Sequence, residues 1–282
     1  MMSIGHIMTG YGFFMYGPSM TKSKAAEPTI FGASIFHPDE WQARLELAAC
    51  YRIFAMLGWT EMIFNHISLR LPDSVSDGTL QFLINPFGLH YSEVCASNLL
   101  RIDASGKVID ASRYKPNPAG MVLHQAIHQG IQQAHCVMHT HTTAGVAVAS
   151  VAQGIEQHNF YGAQLFERIA YHDFEGITLH PEEGERLLKN IGDRQAVVLR
   201  NHGLLSWGVS IPQAFAILWT MQRACEIQYA TASLGQPIPV SDEVARQCAA
   251  EALQIDPSFG AGRDMFDALC RQVDRIDDSY KI

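Results

Sequence analysis

The sequence predicts a single α/β domain with an extension at each end. Three observations support this: 48% of the 282 residues are hydrophobic and 17% are charged, apolar segments with helical spacing alternate with short strand-like segments, and proline, glycine and acidic residues stand at the segment boundaries. Such a composition is typical of a globular chain. We expect residues 1–36 to be a disordered or extended tail, residues 37–237 to form the domain, and residues 238–282 to be a helical extension outside the core.

The first half of the domain is predicted to contribute one helix and several antiparallel strands. Pro38, Asp39 and Glu40 favour a helix start, and apolar residues then recur at helical spacing as far as Gly58. Short apolar segments within residues 65–83 and 99–109, interrupted by turn-forming residues, predict antiparallel strands.

The second half is predicted to alternate between helices and strands. The predicted elements are a helix at 121–133, a strand at 135–141, a helix at 142–151 capped by Thr142, strands at 169–172 and 196–200 around a helix that begins near Pro181 and ends at Gly192, a strand at 204–207, and a long helix from Pro212 to residue 234. Residues 240–253 and 265–273 are more polar and predict the helices of the C-terminal extension.

The charge pattern and the apolar segments exclude two classes of partner. The net charge is −8 with no cluster of Lys and Arg, so the sequence lacks the basic surface of a nucleic-acid-binding protein. No apolar run reaches the roughly 18 residues that a membrane-spanning helix needs. The six cysteines are scattered, without the spacing of a metal or redox motif. We therefore expect a cytoplasmic protein with reduced cysteines and neither nucleic-acid nor membrane partners.

The strongest signal for chemistry is the segment His139-Thr140-His141 at the end of a predicted strand. Side chains two residues apart in an extended chain point to the same side, so both imidazoles can reach one metal ion. His202 is the third candidate ligand, because it lies in a turn between two apolar strands where the flanking Asn201 and Gly203 tolerate tight backbone geometry. The sequence therefore predicts a three-histidine metal site.

Other interpretations of the histidines remain open. Among 13 histidines a His-x-His pair also arises by chance, and a lone histidine in a turn is weak evidence for a ligand. His124 and His128 lie one helical turn apart and could form a second ligand pair, although a hydrogen-bonded or exposed helix face is the more common role of such a pair. Glycine loops for phosphate or dinucleotide binding and a Gly-x-Ser-x-Gly nucleophile turn are absent from the sequence.

Five segments in order resemble the class II aldolase and adducin head-domain family. They are Asn-His-Ile-Ser-Leu-Arg at 65–70, Ile-Asn-Pro-Phe-Gly at 84–88, Asn-Pro-Ala-Gly at 117–120, His-Thr-His at 139–141 and Arg-Asn-His-Gly at 200–203. The first and third segments look closer to the adducin-like branch. The resemblance implies a single α/β/α domain with a central, mainly antiparallel sheet, and a homotetramer with active sites at subunit interfaces.

The resemblance also implies a metal centre, with one departure. Sugar-phosphate aldolases of this family bind zinc through three histidines that correspond to His139, His141 and His202, and a Glu in a Ser-Ser-Glu segment serves as ligand and acid or base. The matching segment here ends in Gly120, which has no side chain that could move a proton. Tyr161, His124 and Glu167 are the candidates that this chain offers for the missing catalytic role.

The segments that bind substrate phosphate in the family are altered as well. By resemblance the substrate-binding residues are Asn65, Ser68, Phe87, Gly88, Ala119 and Gly120. Hydroxyl-bearing positions of the family have become carbon here, at Phe87 and at Pro118-Ala119. A phosphate dianion left without donors would cost several kcal/mol, by analogy with other unpaired buried charges. The sequence therefore predicts a small substrate without phosphate.

Three functions remain open at this point. The first is a zinc-dependent lyase that cleaves a C–C or C–H bond next to a carbonyl of a small hydroxy substrate. The second keeps the same ligands but binds Fe(II) as an oxygenase, because three imidazoles suit both ions. The third is a non-catalytic oligomeric binding module like the adducin head, which engages cytoskeletal partners only by analogy.

Overall fold

A seven-stranded sheet lies at the centre of the protein. The structure is a computed structural model that describes residues 35–282. The strands are β1 (His66–Arg70), β2 (Gln81–Ile84), β3 (Leu100–Asp103), β4 (Cys136–Thr140), β5 (Ile169–His172), β6 (Ala196–Leu199) and β7 (Gly203–Gly208). Their order across the sheet is β3-β2-β1-β4-β7-β6-β5. Every neighbouring pair is antiparallel except β5 and β6, which run parallel.

Helices connect the strands and cover both faces of the sheet. They are α1 (Pro38–Leu57), α2 (Asp73–Ser76), α3 (Pro118–Gly130), α4 (Thr143–Ala149), α5 (Phe160–Gln164), α6 (Glu182–Ile191), α7 (Ile211–Thr231), α8 (Asp242–Ala250) and α9 (Arg263–Ile276). Short 3-10 turns lie at Tyr91–Glu93, Ala96–Asn98, Leu253–Ile255, Pro257–Phe259 and Ser279–Lys281. Among residues 35–282, none of the helices has the length and apolarity needed to cross a bilayer.

The alternation of side chains along β4 divides the core into two layers. Cys136 and Met138 face the layer of α1, α4 and α7, whereas Val137 faces the layer that contains apolar residues of α3 and α6. Because side chains two apart share a face, His139 follows Val137 and points toward the α3 layer. The predicted α/β/α fold with a mainly antiparallel sheet is thus confirmed, and the sheet delivers the first site histidine to a defined face.

The sequence located most element boundaries correctly. α1 ends where Gly58 takes a left-handed conformation, Thr142 caps α4 through its hydroxyl oxygen, and Pro212 lies in the first turn of α7. The hairpin expected at 99–109 has one regular strand, β3, and a single bridge from Ile102 to Val108 on its return.

The placement of the C-terminal extension was wrong. Residues 238–282 contain the expected helices α8 and α9, but Phe266, Val273 and Tyr280 are buried in the main core. The segment is also tied to α1 through Arg52, whose Nη1 donates to Asp277 Oδ2 at 2.6 Å. A few well-spaced apolar residues bring a largely polar segment into the core, which average composition does not reveal. The tail predicted for residues 1–36 lies almost wholly outside the described residues.

Candidate metal centre

Three imidazoles converge at the end of β4. His139 is the penultimate residue of this central strand, and His141 follows it on the same side of the chain. The Nε2 atom of His139 lies 2.7 Å from His141 Nε2 and 3.3 Å from His202 Nε2. In His139, His141 and His202 the candidate ligand atoms all lie within 4.8 Å of one another. Since zinc–nitrogen bonds are about 2.0–2.1 Å long, this spacing matches a single ion shared by the three rings after small adjustments.

The turn between β6 and β7 places His202 beside the strand histidines. Asn201 adopts φ +57°, a left-handed conformation that asparagine tolerates better than most residues. A Cβ at Gly203 would lie 2.2 Å from the Thr140 carbonyl oxygen and 3.3 Å from His139 Cε1. The flanking residues therefore permit both the turn and the close approach of β7 to the site, as the sequence predicted.

A backbone hydrogen bond sets the orientation of His139. Its Nδ1–H donates to the carbonyl of Leu204 at 2.8 Å, so the lone pair of the neutral ring lies on Nε2, toward the other two histidines. Burial, followed by the neighbouring charges of His141 and His202, holds the pKa of His139 well below its ordinary value. Such an outer hydrogen bond is the usual way to fix a metal-ligating imidazole in one tautomer.

The other two histidines are also neutral near pH 7. Burial is the largest cause that lowers the pKa of His202, to about 4, and the charges of His141 and His172 lower it further. Burial likewise lowers the pKa of His141. Neutral imidazoles have an available lone pair, so the set has the donor chemistry of a zinc or iron site.

Asn65 holds the backbone of His141 in place. Its side-chain oxygen accepts a hydrogen bond from the backbone N–H of His141 at 2.9 Å, and its Nδ2 donates to the Trp59 carbonyl at 3.0 Å. Asn65 is buried. Both of its polar ends therefore hold the chain near His141, and the substrate-binding role expected for Asn65 stays a prediction.

A second group of buried polar residues lies behind the three histidines. His66 on β1 is the cross-strand partner of His139, and their ring centroids are 5.0 Å apart. His66 Nδ1 lies 2.8 Å from His124 Nε2, and Ser68 Oγ lies 2.5 Å from His124 Nδ1 and 2.7 Å from His128 Nε2. His128 Nδ1–H donates to the Ala134 carbonyl at 2.8 Å. His66, Ser68, His124 and His128, the histidine chain hereafter, form one continuous network.

With this geometry established, comparison with known proteins assigns the family. The model described as class II aldolase and adducin N-terminal domain matches residues 45–229. The chain belongs to the class II aldolase and adducin family. A Pseudomonas aeruginosa relative named "Putative aldolase class 2 protein" is 40% identical over 246 residues, which cover 86% of this chain and 93% of the relative.

The relatives that resemble this chain include proteins named as aldolases and proteins named as adducins. The structure of an aldolase II superfamily protein from Pseudomonas syringae superposes with a TM-score of 0.80 at 36% identity, covering 87% of this chain and 97% of that one. Alpha-adducin of Rattus norvegicus is 37% identical over 247 residues, which cover 83% of this chain but 33% of the adducin. The family alone therefore does not separate an enzyme from a binding module.

The departure from the class II aldolase pattern at Gly120 has a structural counterpart. A Cβ at Gly120 would lie 2.5 Å from His66 Cδ2 and 2.6 Å from His66 Nε2, distances that real Cβ contacts essentially never show. The space next to position 120 is filled by the His66 ring. A side chain at 120 and the observed position of His66 are thus mutually exclusive.

The three residues predicted for the missing catalytic role have other contacts. Glu167 is exposed and pairs with Arg246, with 3.0 Å between Oε1 and Nη2. The ring of Tyr161 packs edge-on against Trp219, at 5.3 Å between centroids. His124 is fully buried and reaches His66 and Ser68. Within residues 35–282, none of their hydrogen bonds or ring contacts is to a site histidine.

The remaining residues predicted to bind substrate differ in their exposure. Ser68 is fully buried in the histidine chain and faces no open space. Phe87 is half-buried and its ring lies 6.3 Å from that of the exposed Phe64. Gly88 is exposed with φ +99°, and Ala119 is half-buried in the first turn of α3. Phe87, in a segment to which the family resemblance assigns phosphate binding, thus pairs with the ring of Phe64, the residue that precedes Asn65.

The position of His66 beside the three histidines was not predicted from the sequence, in which it appears only within the 65–70 segment. One signal was present: His66 and Ser68 alternate on a buried strand, and His124 and His128 recur one turn apart on a helix, so four polar residues were available for one buried face.

Proposed function

We propose that this protein is a metal-dependent enzyme with lyase chemistry, acting on a small carbonyl or hydroxy substrate without phosphate. The observation that carries the proposal is the convergence of the Nε2 atoms of His139, His141 and His202, with the tautomer of His139 fixed by Leu204. Three neutral protein ligands leave a coordination position open, as in catalytic zinc sites and unlike closed structural ones.

The three histidines would hold the ion, and the ion would supply Lewis-acid polarisation of a substrate carbonyl. The chain's own residues set the conditions for that chemistry. Asn65 positions the backbone of His141, and the Leu204 carbonyl orients His139. The substrate's acidic proton needs an acceptor other than a carboxylate at position 120, because Gly120 has none.

The altered phosphate segments support a substrate without phosphate. Phe64 and Phe87 contribute rings rather than hydroxyl or amide donors, and an unpaired phosphate dianion beside them would be costly. An aldehyde or hydroxy acid with an apolar portion fits these surroundings better. We expect no robust cleavage of fuculose or ribulose phosphates, and measurable turnover of such a sugar phosphate would contradict this part of the proposal.

Zinc is the ion that we propose, with Fe(II) as the alternative. Imidazole ligands accept both ions, so the decision is experimental. The native protein is purified anaerobically without added metal or chelator, and transition metals per chain are quantified. Near-stoichiometric zinc supports lyase chemistry, whereas near-stoichiometric iron with substrate-dependent oxygen consumption supports an oxygenase on the same fold.

The matched control for that measurement is a pair of variants. A His139→Ala, His141→Ala protein is expected to lose the metal, and a variant at the exposed His180, His180→Ala, is expected to keep it. A native protein that holds no metal and cannot be reconstituted contradicts the enzyme proposal.

The second candidate function is an oligomeric binding module, with which the 37% identity to alpha-adducin is consistent. It predicts a protein whose assembly is unaffected by loss of metal. For either function we propose a homotetramer, to be checked by light scattering of the full chain with and without a chelator. A monomer under both conditions contradicts the assembly proposal.

A further inference from the structure

Metal binding by three histidines does not explain why the histidine chain exists. His66, Ser68, His124 and His128 are each buried, with at most 4% of the residue exposed. Burying four polar side chains is costly unless all are hydrogen-bonded, and an apolar layer would serve packing at lower cost. The histidine chain extends from the Ala134 carbonyl to the ring of His66, which packs on His139.

The direction of the hydrogen bonds in the histidine chain follows from the bond between His128 and the Ala134 carbonyl. A carbonyl oxygen can only accept, so His128 donates to Ala134 through Nδ1–H. Burial lowers the pKa of His128 to about 3, so the ring is neutral and its Nε2 must accept. The donor to that nitrogen is the Ser68 hydroxyl.

The same reasoning fixes the outer half of the chain. The Ser68 hydroxyl donates its only proton to His128, so its oxygen must accept a hydrogen bond from His124 Nδ1–H. Burial holds the pKa of His124 well below its ordinary value, so its Nε2 accepts from His66 Nδ1–H. His66 is therefore left with Nε2 as an acceptor, and this nitrogen has no hydrogen-bond partner within residues 35–282.

The free nitrogen of His66 lies next to Gly120, the position to which the family resemblance assigns a carboxylate. Its Nε2 would be 2.6 Å from a Cβ at Gly120, and its ring packs on that of His139. Gly120 leaves space for the His66 imidazole, and the hydrogen bonds of the histidine chain leave His66 Nε2 as a free acceptor. This chain thus offers an imidazole nitrogen where the resemblance implies a carboxylate oxygen.

We propose that His66 is a substrate-positioning residue that accepts, through Nε2, a hydrogen bond from a hydroxyl group of the substrate bound at the metal centre. The inference rests on the proposed function for the presence of that substrate. It specifies the substrate class further, because an uncharged acceptor selects a ligand with a hydroxyl next to its metal-chelating group. Ser68, His124 and His128 act through His66 by holding its tautomer.

The first experiment measures the tautomers directly and needs neither metal nor substrate. Metal-free protein labelled with ¹⁵N-histidine is studied by long-range ¹H–¹⁵N correlation spectroscopy. The expected result is that His66, His124 and His128 all carry the proton on Nδ1. A proton on Nε2 of His66 overturns the inference, because that atom would then be a donor.

The second experiment measures selectivity for the hydroxyl. Zinc-loaded protein is titrated with glycolohydroxamate and with acetohydroxamate, two chelators that differ by one hydroxyl group. We expect wild-type protein to bind glycolohydroxamate about tenfold more tightly, the effect of one additional hydrogen bond. His66→Phe should bring the ratio close to one while zinc remains bound.

Two serine variants separate positioning from general damage. Ser68→Ala breaks the chain and is expected to reduce the ratio to about threefold or less while His66 remains present. Ser206→Ala removes another fully buried hydroxyl, one that donates to Ala214 O at 2.8 Å outside the chain, and should leave the ratio unchanged. Equal reduction by both serine variants would contradict the positioning role.

The outcomes distinguish this inference from the proposed function. A protein that takes up no zinc contradicts the proposed function, and with it a substrate role for His66. A zinc-loaded wild-type protein that binds both hydroxamates equally contradicts the inference alone. Wild-type selectivity together with the expected tautomers supports both.

Discussion

His66 and Gly120 share one volume: the imidazole of the first lies where any side chain on the second would have to be. The two residues are on different elements, β1 and α3, and the shortest distance from a Cβ at 120 to the ring would be 2.5 Å. The ring cannot simply swing aside, because Nδ1 is hydrogen-bonded to His124.

This relationship predicts that Gly120→Ala destabilises the protein. Alanine normally stabilises a helix relative to glycine by up to about 1 kcal/mol, but overpacking costs typically 1–3 kcal/mol. We expect a net loss of about 1–2 kcal/mol in the free energy of unfolding, measured in urea. In the His66→Ala background the same change should cost less or become stabilising, and strict additivity of the two changes would disprove the shared volume.

Asn65→Ala should weaken metal binding without removing a ligand. The side chain holds the backbone N–H of His141 at 2.9 Å, and loss of an outer-shell partner typically reduces metal affinity about 10–100-fold. The measurement is a competition titration with a zinc chelator. Asn98→Ala is the control, because the Asn98 amide likewise bonds backbone at both ends, donating to the Glu93 carbonyl at 2.9 Å and accepting from Cys95 N–H at 3.0 Å, and makes no hydrogen bond to the three histidines. An unchanged affinity in Asn65→Ala would refute the supporting role.

Acid should destabilise the metal-free protein through His128. Its folded pKa is about 3, below the ordinary value of about 6.5, so the unfolded chain binds a proton that the folded chain does not. The contribution is fully present above pH 6.5 and is lost at about 1.4 kcal/mol per pH unit as the pH falls toward 3.

The test compares pH slopes among variants in the presence of a chelator. His128→Leu should lower the slope of the unfolding free energy against pH, between pH 6 and pH 4, by about 1.4 kcal/mol per pH unit, which corresponds to one proton. Ser206→Ala changes no titratable group and should keep the wild-type slope. The His128 ring contacts Ser68 and the Phe82 ring, Arg70 donates to the His128 carbonyl, and His135 is a further neighbouring titratable group. None of these groups supplies a compensating negative charge. An unchanged slope in His128→Leu would show that the ring is protonated in the folded state.

Glu167→Gln should leave both metal binding and hydroxamate binding unchanged. Glu167 is exposed and its partner Arg246 lies on α8, and solvent screens such an exposed ion pair so that it contributes little to stability. A loss of hydroxamate affinity of tenfold or more, with unchanged assembly, would instead restore Glu167 as the catalytic residue that the sequence suggested.

The sequence predicted those parts of the site that local patterns specify. His139 and His141 follow from the two-residue period of a strand, and His202 follows from the Asn and Gly that flank it in a turn. The position of His66 depends on the register between β1 and β4, which pairs residue 66 with residue 139 and has no local signature. The resemblance identified the missing carboxylate at Gly120 but gave no reason to expect an imidazole in its place.

In the fold, too, local features could be predicted from the sequence and features that depend on distant contacts could not. Helix ends at Gly58 and Thr142 follow from backbone conformation and capping, which adjacent residues decide. α5 has five residues, too few to show a helical period. The burial of Phe266 and Val273 depends on the partner surface that α1 and α7 provide, so no window of the C-terminal sequence could indicate it.

The position of β4 also has a consequence for the order in which the protein folds. Both of its neighbours are distant in sequence: the Leu204 carbonyl that orients His139 is 65 residues away, and β1 is further still. Contacts of such separation form slowly, after long loops have closed. The three-histidine site is thus completed late, so zinc bound there, as proposed, should slow unfolding while leaving the refolding rate nearly unchanged. Bound metal would then prolong the lifetime of the native state without guiding the chain toward it.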